Sequence, residues 1–377
     1  MIYFDNAATT FYKPPAVIDA AVYAMKNLSV NPGRSGHRLA VEAAMRVMKT
    51  RQLVADFVGA ENSDNVIFCP GCTQALNLAV IGSVKRGCHV ISSLGEHNSV
   101  LRPLFELKQR RLIDVTFLVP DGQNKIDPAD VEKSIRRNTT MIVLGHVSNV
   151  TGAAQDIAEI GAVAKRHNAA FIVDGAQSVG YTAVDMRRQN IDMLAFPAHK
   201  GLHGIMGVGC LCFGEKFRPQ PIIYGGTGTD SHMLTQPLTS PEGYESGTQN
   251  LPGILALGEA IKWHLSAEPQ DGTKRREIAK TLYDGLCAMK NVTVMSSPTF
   301  DAGIVSFYVD GQDSQFTADL LSSRYDIAVR GGLHCAPLMH RHLGTEKQGL
   351  VRASVSAQNT AGQALAFLSA VRDIAEA

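Results

Sequence analysis

No apolar stretch in this sequence reaches the roughly 20 residues that a helix needs to cross a bilayer. The longest uncharged run, Val66–Val84, is broken by Pro70, Gly71, Gln74, Asn77 and Gly82, so it reads as a buried turn rather than a membrane span. There is no excess of charge either, since 36 basic residues meet 35 acidic ones. Without a net field, neither nucleic acid nor an anionic membrane surface is an expected partner. Cysteines are few. The seven, at 69, 72, 88, 210, 212, 287 and 335, form an odd set without the density of a secreted disulfide scaffold, which predicts reduced thiols. The opening MIYFDNAATT has no basic segment, apolar core or small-residue cleavage site, and a cytoplasmic location is the expectation. Internal repeats and low-complexity segments are lacking as well.

What is present is enough chain for two hydrophobic cores. Short β-branched runs alternate with helical patterns over the first two thirds, predicting strands at Val66–Phe68, His89–Ser92, Val115–Leu118, Met141–Gly145, Phe171–Asp174, Met193–Phe196 and Gly209–Phe213. Asp127 before Pro128 predicts one helix start and Asp156 another. After about Leu255 a long helix, a charged segment at Lys274–Glu277 and strands near Val292–Met295 and Ile304–Tyr308 suggest a smaller unit. The expected fold class is α/β: a large domain over 15–255 with a mainly parallel seven-stranded sheet, and a smaller α+β domain from 1–14 and 256–377. Tyr224–Asn250, rich in Gly, Thr, Ser and Pro, has the length of a functional loop.

Asp174 ends one predicted strand in Asp174-Gly175-Ala176-Gln177, and Lys200 comes after another in Ala198-His199-Lys200. Ligands of open α/β sheets sit at carboxyl ends of strands. A carboxylate able to keep a pyridine nitrogen protonated, with a lysine able to form an imine and move an α-proton, is the pair that pyridoxal 5'-phosphate (PLP) requires. Taken singly, Asp174 would be a helix cap and Lys200 a solvated surface charge; the phosphate elements decide between the readings. Gly71-Cys72-Thr73 lies between a strand and a helix, where backbone N–H groups and the Thr73 hydroxyl suit a phosphate. His199 could add a donor, and His97 in Glu96-His97-Asn98-Ser99 is placed to stack on the ring.

Nine ordered segments resemble class V aminotransferases of PLP fold type I, specifically cysteine desulfurases and selenocysteine lyases of the Suf-type group. They are YFDNAATT (3–10), GCTQALN (71–77), EHNS (96–99), HVSNVTG (146–152), VDGAQS (173–178), HKG (199–201), ESGTQN (245–250), RGGLHCAP (330–337) and VRAS (351–354). The resemblance implies conversion of L-cysteine to L-alanine with a persulfide on Cys335, or release of selenium from L-selenocysteine. It implies catalytic roles for Lys200, Cys335 and His97. Cofactor contacts are implied for Cys72, Thr73, His97, Asn149, Asp174, Gln177, His199, Lys200 and Thr248, and substrate contacts for Ala8, Arg34, His37, Asn149, Arg330 and Arg352. Thr248 resembles a residue that completes the other subunit's site, which implies a homodimer, and a sulfur or selenium acceptor protein is an implied partner.

Cys335, beside His334 and near Arg330, stands in electropositive surroundings that favour a thiolate. On its own it would be read as an inert thiol. Cys69 and Cys72 have dithiol spacing, but the phosphate turn claims the second. His334, Cys335, His340 and His342 lack a paired ligand motif, so no metal site is expected. Cys210 and Cys212 share one strand face and are read as packing. Phe196-Pro197-Ala198 stands where many relatives carry a hydroxyl two residues before the His-Lys pair, and the Tyr224–Pro241 loop is shorter than in better-known Suf-type enzymes. Transamination, another β-elimination, and a scaffold without cofactor are the other readings.

Overall fold

The structure, a computed structural model, describes residues 1–33, 35–229 and 232–376, leaving aside the side chains of 268–270. In chain order the strands are β1 (Ile2–Tyr3), β2 (Val66–Cys69), β3 (Cys88–Ser93), β4 (Ile113–Leu118), β5 (Thr139–Gly145), β6 (Ala170–Asp174), β7 (Met193–Pro197), β8 (Gly209–Phe213), β9 (Val292–Val294), β10 (Ile304–Val309), β11 (Ile327–Ala328) and β12 (Val351–Ser354). The helices are α1 (Pro15–Asn27), α2 (Arg38–Val58), α3 (Cys72–Ser83), α4 (Asn98–Gln109), α5 (Pro128–Ser134), α6 (Ile157–Arg166), α7 (Leu251–Cys287), α8 (Ser314–Tyr325), α9 (Pro337–Leu343) and α10 (Ala361–Ala375).

Strands β2 to β8 make one sheet in the order β2-β8-β7-β6-β5-β3-β4. Every strand predicted for the first two thirds of the chain is in it, lengthened by at most two residues at an end. β8 alone runs against its neighbours β2 and β7, so the sheet is mainly parallel. Both faces are covered, which is why these strands read as continuous apolar runs. Alternate residues feed opposite cores: Phe171, Val173, Leu194 and Phe196 pack with α6 residues such as Ile160, whereas Ile172, Met193 and Ala195 meet Leu76 and Val80 of α3. Cys210 and Cys212 fall together in the first core. Asp127 and Asp156 cap α5 and α6, accepting from the N–H groups of Ala129 (2.8 Å) and Glu159 (3.2 Å).

A three-stranded antiparallel sheet, β12-β10-β9, and the parallel pair β1-β11 form a second layer. Its core joins Phe4 from the chain's start to Phe307 and Phe367, with the rings of Phe4 and Phe367 5.5 Å apart edge to face. The charged segment Lys274–Glu277 does not end the long helix as the sequence suggested, because α7 runs unbroken through it. Lys274, Arg276 and Glu277 face solvent, while the buried Arg275 donates to the Asp301 carbonyl (2.6 Å) and lies over the Tyr181 ring. α7 packs on the large-sheet side through Leu257 and Ile261, and on the second layer from Ile278 to Leu286. Among the described residues no helix is long and apolar enough to cross a membrane.

Candidate active site

The parallel strands end together at a cavity of about 290 Å³. Each sends the residues beyond its carboxyl end into the wall: β2 leads to Gly71, Cys72 and Thr73; β3 to Glu96 and His97; β5 to Asn149; β6 to Asp174 and Gln177; β7 to His199 and Lys200. Ala8, after β1, lines the same cavity. Residues far apart in sequence meet there because a right-handed β-α-β winding returns every strand in the same direction.

Lys200 is half-buried in the cavity wall, and burial holds its ammonium below its ordinary value, with Asp174 opposing the shift and Arg352 and Arg330 adding to it. Asp174 is fixed by the Ala176 N–H (2.9 Å) and by the Cys72 thiol (3.6 Å), both donating to Oδ1. Burial, then the Asp174 carboxylate, keeps that thiol protonated, its value pushed well up. Cys69 is buried in the core behind the turn, and burial pushes its thiol up as well, to about 12. Gly201, directly after Lys200, lies so close to Val179 and Gly180 that a Cβ there would stand 2.4 Å from the Val179 carbonyl oxygen.

In the same cavity wall α3 begins at Gly71 without a capping side chain. Its first-turn N–H groups cannot be paired inside the helix and carry the positive end of its dipole. Gly209 of β8 permits this approach, since a Cβ there would meet the Gly71 backbone at 2.7 Å. Thr73 Oγ1 lies 3.0 Å from Ser99 Oγ, and His97 caps α4 by accepting the Ser99 N–H at Nδ1 (3.0 Å). Burial lowers His97 against the pull of Asp174, and burial, then Lys200 and Lys13, lowers His199 to about 4, leaving both rings neutral at pH 7. Buried His199 Nδ1 and Gln177 Oε1 have no partner. A carboxylate, a desolvated lysine, an open helix start and orphaned polar atoms between them fit a phosphorylated pyridine aldehyde, with Asp174 toward its ring nitrogen and α3 toward its phosphate.

Asn149 joins this cavity to the second layer. Its Nδ2 donates to the His334 carbonyl (2.6 Å), and its own carbonyl accepts from Arg352 Nη1 (3.0 Å). Arg352, on β12 and 1% exposed, also donates from Nη2 to Asp5 (3.0 Å), while its Nε has no partner. Cys335 is half-buried, with Arg330 Nη2 3.6 Å from its sulfur, and its carbonyl accepts the N–H of Asn98, next to His97 (2.7 Å). Arg330, Cys335 and Arg352 stand beside the cavity rather than in its wall. His334 turns its Nε2 to the Leu350 carbonyl (3.0 Å) and is held at about 2 by burial and by Arg352.

Two of the expected residues are elsewhere in the single chain. His37 is exposed and caps α2 by accepting the Ala40 N–H (3.2 Å), and Thr248 is exposed on a different cavity with Cys69, Gly207 and Tyr244. Arg34 lies outside the described residues. Among the described residues no cluster of three or more His, Cys, Asp or Glu is arranged to hold a metal. Glu96 was not singled out by sequence reasoning, yet it is 3% exposed in the cavity wall, accepting from Ser93 Oγ (2.5 Å) and the Gly145 N–H (2.8 Å), with burial raising it to about 8. Its position beside His97 was the only available signal. Asp5 was missed in the same way, inside a recognised motif.

Comparison with known proteins places this geometry. The chain is 33% identical to a probable cysteine desulfurase of Pyrococcus abyssi over 99% of its own length and 94% of that protein's. It superposes on the structure of a cysteine desulfurase from Thermococcus onnurineus with a TM-score of 0.90, at 30% identity over all of this chain and 94% of that one. Against the cysteine desulfurase CsdA of Escherichia coli the TM-score is 0.88, at 27% identity over 99% and 94% of the two chains. The model of the class-V aminotransferases matches residues 2–367, and this chain belongs to that family.

Proposed function

We propose that this protein is a PLP-dependent cysteine desulfurase that converts L-cysteine to L-alanine and leaves the sulfur as a persulfide on Cys335. The observation that carries the reading is that Lys200, Asp174 and the open start of α3 converge on one cavity while Cys335 stands at its edge on an arginine-flanked turn. The cysteine desulfurases to which the chain is similar support it. Bound PLP supplies an electron sink for the charge that develops at the amino acid's α-carbon.

The chain's own residues do the rest. The first turn of α3 with Thr73 and His199 holds the phosphate, Asp174 faces the ring nitrogen, and His97, Asn149 and Gln177 orient the ring. Arg352 clamps the substrate carboxylate, a task suited to its free Nε and planar fork. Lys200, with its ammonium destabilised by burial, takes the α-proton and can return it. Cys335, with Arg330 Nη2 3.6 Å from its sulfur, attacks the substrate sulfur as a thiolate: an S–S bond forms, the C–S bond breaks, and its electron pair returns to the carbon skeleton, which takes up a proton as alanine. His97 serves those proton transfers.

Selenocysteine presents the same geometry, and selenocysteine lyase is the second reading. Exposed Leu39, Val41, Met45 and Met48 on α2, with Tyr224 and Leu234 on the loop, support a homodimer in which Thr248 and His37 reach the partner's site. A sulfur or selenium acceptor protein would collect the product. We place the division into domains at 15–255 and 1–14 with 256–377, α7 belonging to both. Purified protein with PLP is incubated with L-cysteine and with L-selenocysteine, and alanine, sulfide and selenide are measured. Alanine is expected from at least one. No alanine from either overturns the reading, and alanine formation undiminished in Cys335→Ala overturns the persulfide step.

A further inference from the structure

The segment from Asp5 to Lys13 touches both ends of the site although it lies outside the large sheet. At its start Asp5 Oδ1 accepts from Arg352 Nη2 (3.0 Å), and the buried guanidinium has no other carboxylate partner among its hydrogen bonds. At its end the carbonyl of His199, the peptide leading into Lys200, accepts from the Thr10 N–H (3.0 Å) and has Thr9 Oγ1 (3.2 Å), Thr10 Oγ1 (3.1 Å) and Lys13 Nζ (3.5 Å) within hydrogen-bond distance, the one Thr10 hydroxyl hydrogen being shared with the Lys200 carbonyl (3.3 Å). Lys13 Nζ also donates to Thr10 Oγ1 (2.8 Å). The segment is itself anchored, because the N–H groups of Asn6 and Ala7 donate to the carbonyl and Oγ of Ser354, two residues beyond Arg352.

Four donor groups gathered around one carbonyl are more than backbone satisfaction requires, since one partner suffices for a buried C=O. Such a cluster ties the 199–200 peptide, and so the origin of the Lys200 side chain, to the irregular segment that follows β1. Placement of a reacting group within about 0.5 Å is what the rate of a positioned reaction depends on. We propose that Asp5–Lys13 is a positioning strap coupling the two halves of the site, with Asp5 setting the Arg352 clamp and Lys13, through Thr10 and the His199 carbonyl, setting Lys200. This rests on the proposed roles of Arg352 and Lys200, and adds two positioning residues to them.

The two ends predict opposite kinetic signatures in the holoenzyme. Asp5→Asn raises KM for L-cysteine about tenfold with kcat within about twofold, and weakens L-alanine binding, read from the visible band of the bound cofactor, by a similar factor. Lys13→Met lowers kcat about tenfold with KM within about twofold, slows formation of the visible band when PLP is added to the stripped full-length chain, and is restored by Lys13→Arg to within about threefold of wild type. Melting temperatures of the variants are measured alongside. Wild-type KM, kcat and band kinetics in both variants overturn the strap, as does a parallel loss of kcat and KM in both with lowered melting temperature, which marks a merely structural segment. Failure of the wild-type protein to form the visible band sinks the roles of Lys200 and the cofactor instead, so the two failures are separable.

Discussion

Lys200 comes after a fully buried strand, on a peptide whose carbonyl has four donor groups around it, whereas Cys335 sits in a turn where His334 and Cys335 both have positive φ, 48° and 60°. The Cys335 turn is held by Asn98 and Asn149, which donate to the carbonyls of Cys335 and His334, by Leu350, which pairs with Gly332 and accepts from His334 Nε2, and by Ser314 Oγ, which also accepts the Gly332 N–H (3.0 Å). Consecutive non-glycine residues in the left-handed region are costly, so this turn depends on its few contacts to keep a conformation it would otherwise leave. The difference fits the tasks proposed for the two residues. A lysine that moves a proton at a fixed α-carbon gains from rigidity, while a thiol that meets the substrate sulfur and then hands its load on needs a turn that can rearrange.

The comparison breaks most directly at Lys200. Lys200→Ala removes the amine from an otherwise intact cavity, and alanine formation is expected to fall by at least about 10³-fold with loss of the visible band. A persisting band, resistant to borohydride, would remove Lys200 from its role and dissolve the contrast between the two regions. Ser314→Ala acts on the other region alone. It removes one of the two acceptors of the Gly332 N–H, which keeps the Leu350 carbonyl (3.1 Å), and so loosens the Cys335 turn without touching the cavity; alkylation of Cys335, monitored by peptide mass, should quicken about twofold while the visible band is unchanged. Unchanged alkylation would show that the turn is as rigid as the lysine peptide.

Much of the lysine side was legible in the sequence because its parts are local: a strand, then a functional residue, with the period of the β-α-β winding bringing the parts together. The seven strands, the caps Asp127 and Asp156, and the pairing of Asp174 with Lys200 across adjacent strands all arise from such short-range signals. What escaped depends on contacts between distant segments. Asp5 meets Arg352 across nearly the whole chain, and no spacing announces it. Arg275 looked like part of a break in α7 because a charged run resembles a linker until the Asp301 carbonyl and Tyr181 ring that bury it are known. Thr248 and His37 resembled site residues, yet the chain places both on its surface, away from the Lys200 cavity.

Glu96 gives the finest test, because it lies where the two regions meet, next to His97 and the Asn98 N–H that holds Cys335. Burial raises its carboxyl from the ordinary 4.5 to about 8, with the hydrogen bonds from Ser93 and Gly145 working the other way and the Asp174 charge adding to the rise. The folded protein therefore keeps a proton that the unfolded chain releases above about pH 4.5. Stability from this group is full below that pH, declines as pH rises through the window to about 8, and is flat beyond it. Glu96→Gln offers a neutral side chain of the same shape, whose oxygen accepts the Gly145 N–H and whose amide donates to Ser93 Oγ. Denaturant titrations at pH 5.5 and 8.5 should show the wild type losing on the order of 2 kcal/mol between them that the variant retains. The visible band and the alkylation rate of Cys335 should stay near wild type at pH 6, where Glu96 is already protonated. Equal pH slopes in the two proteins would mean that Glu96 is charged in the fold, and the wall between Lys200 and Cys335 would then hold a buried carboxylate close to Asp174 rather than a neutral acid.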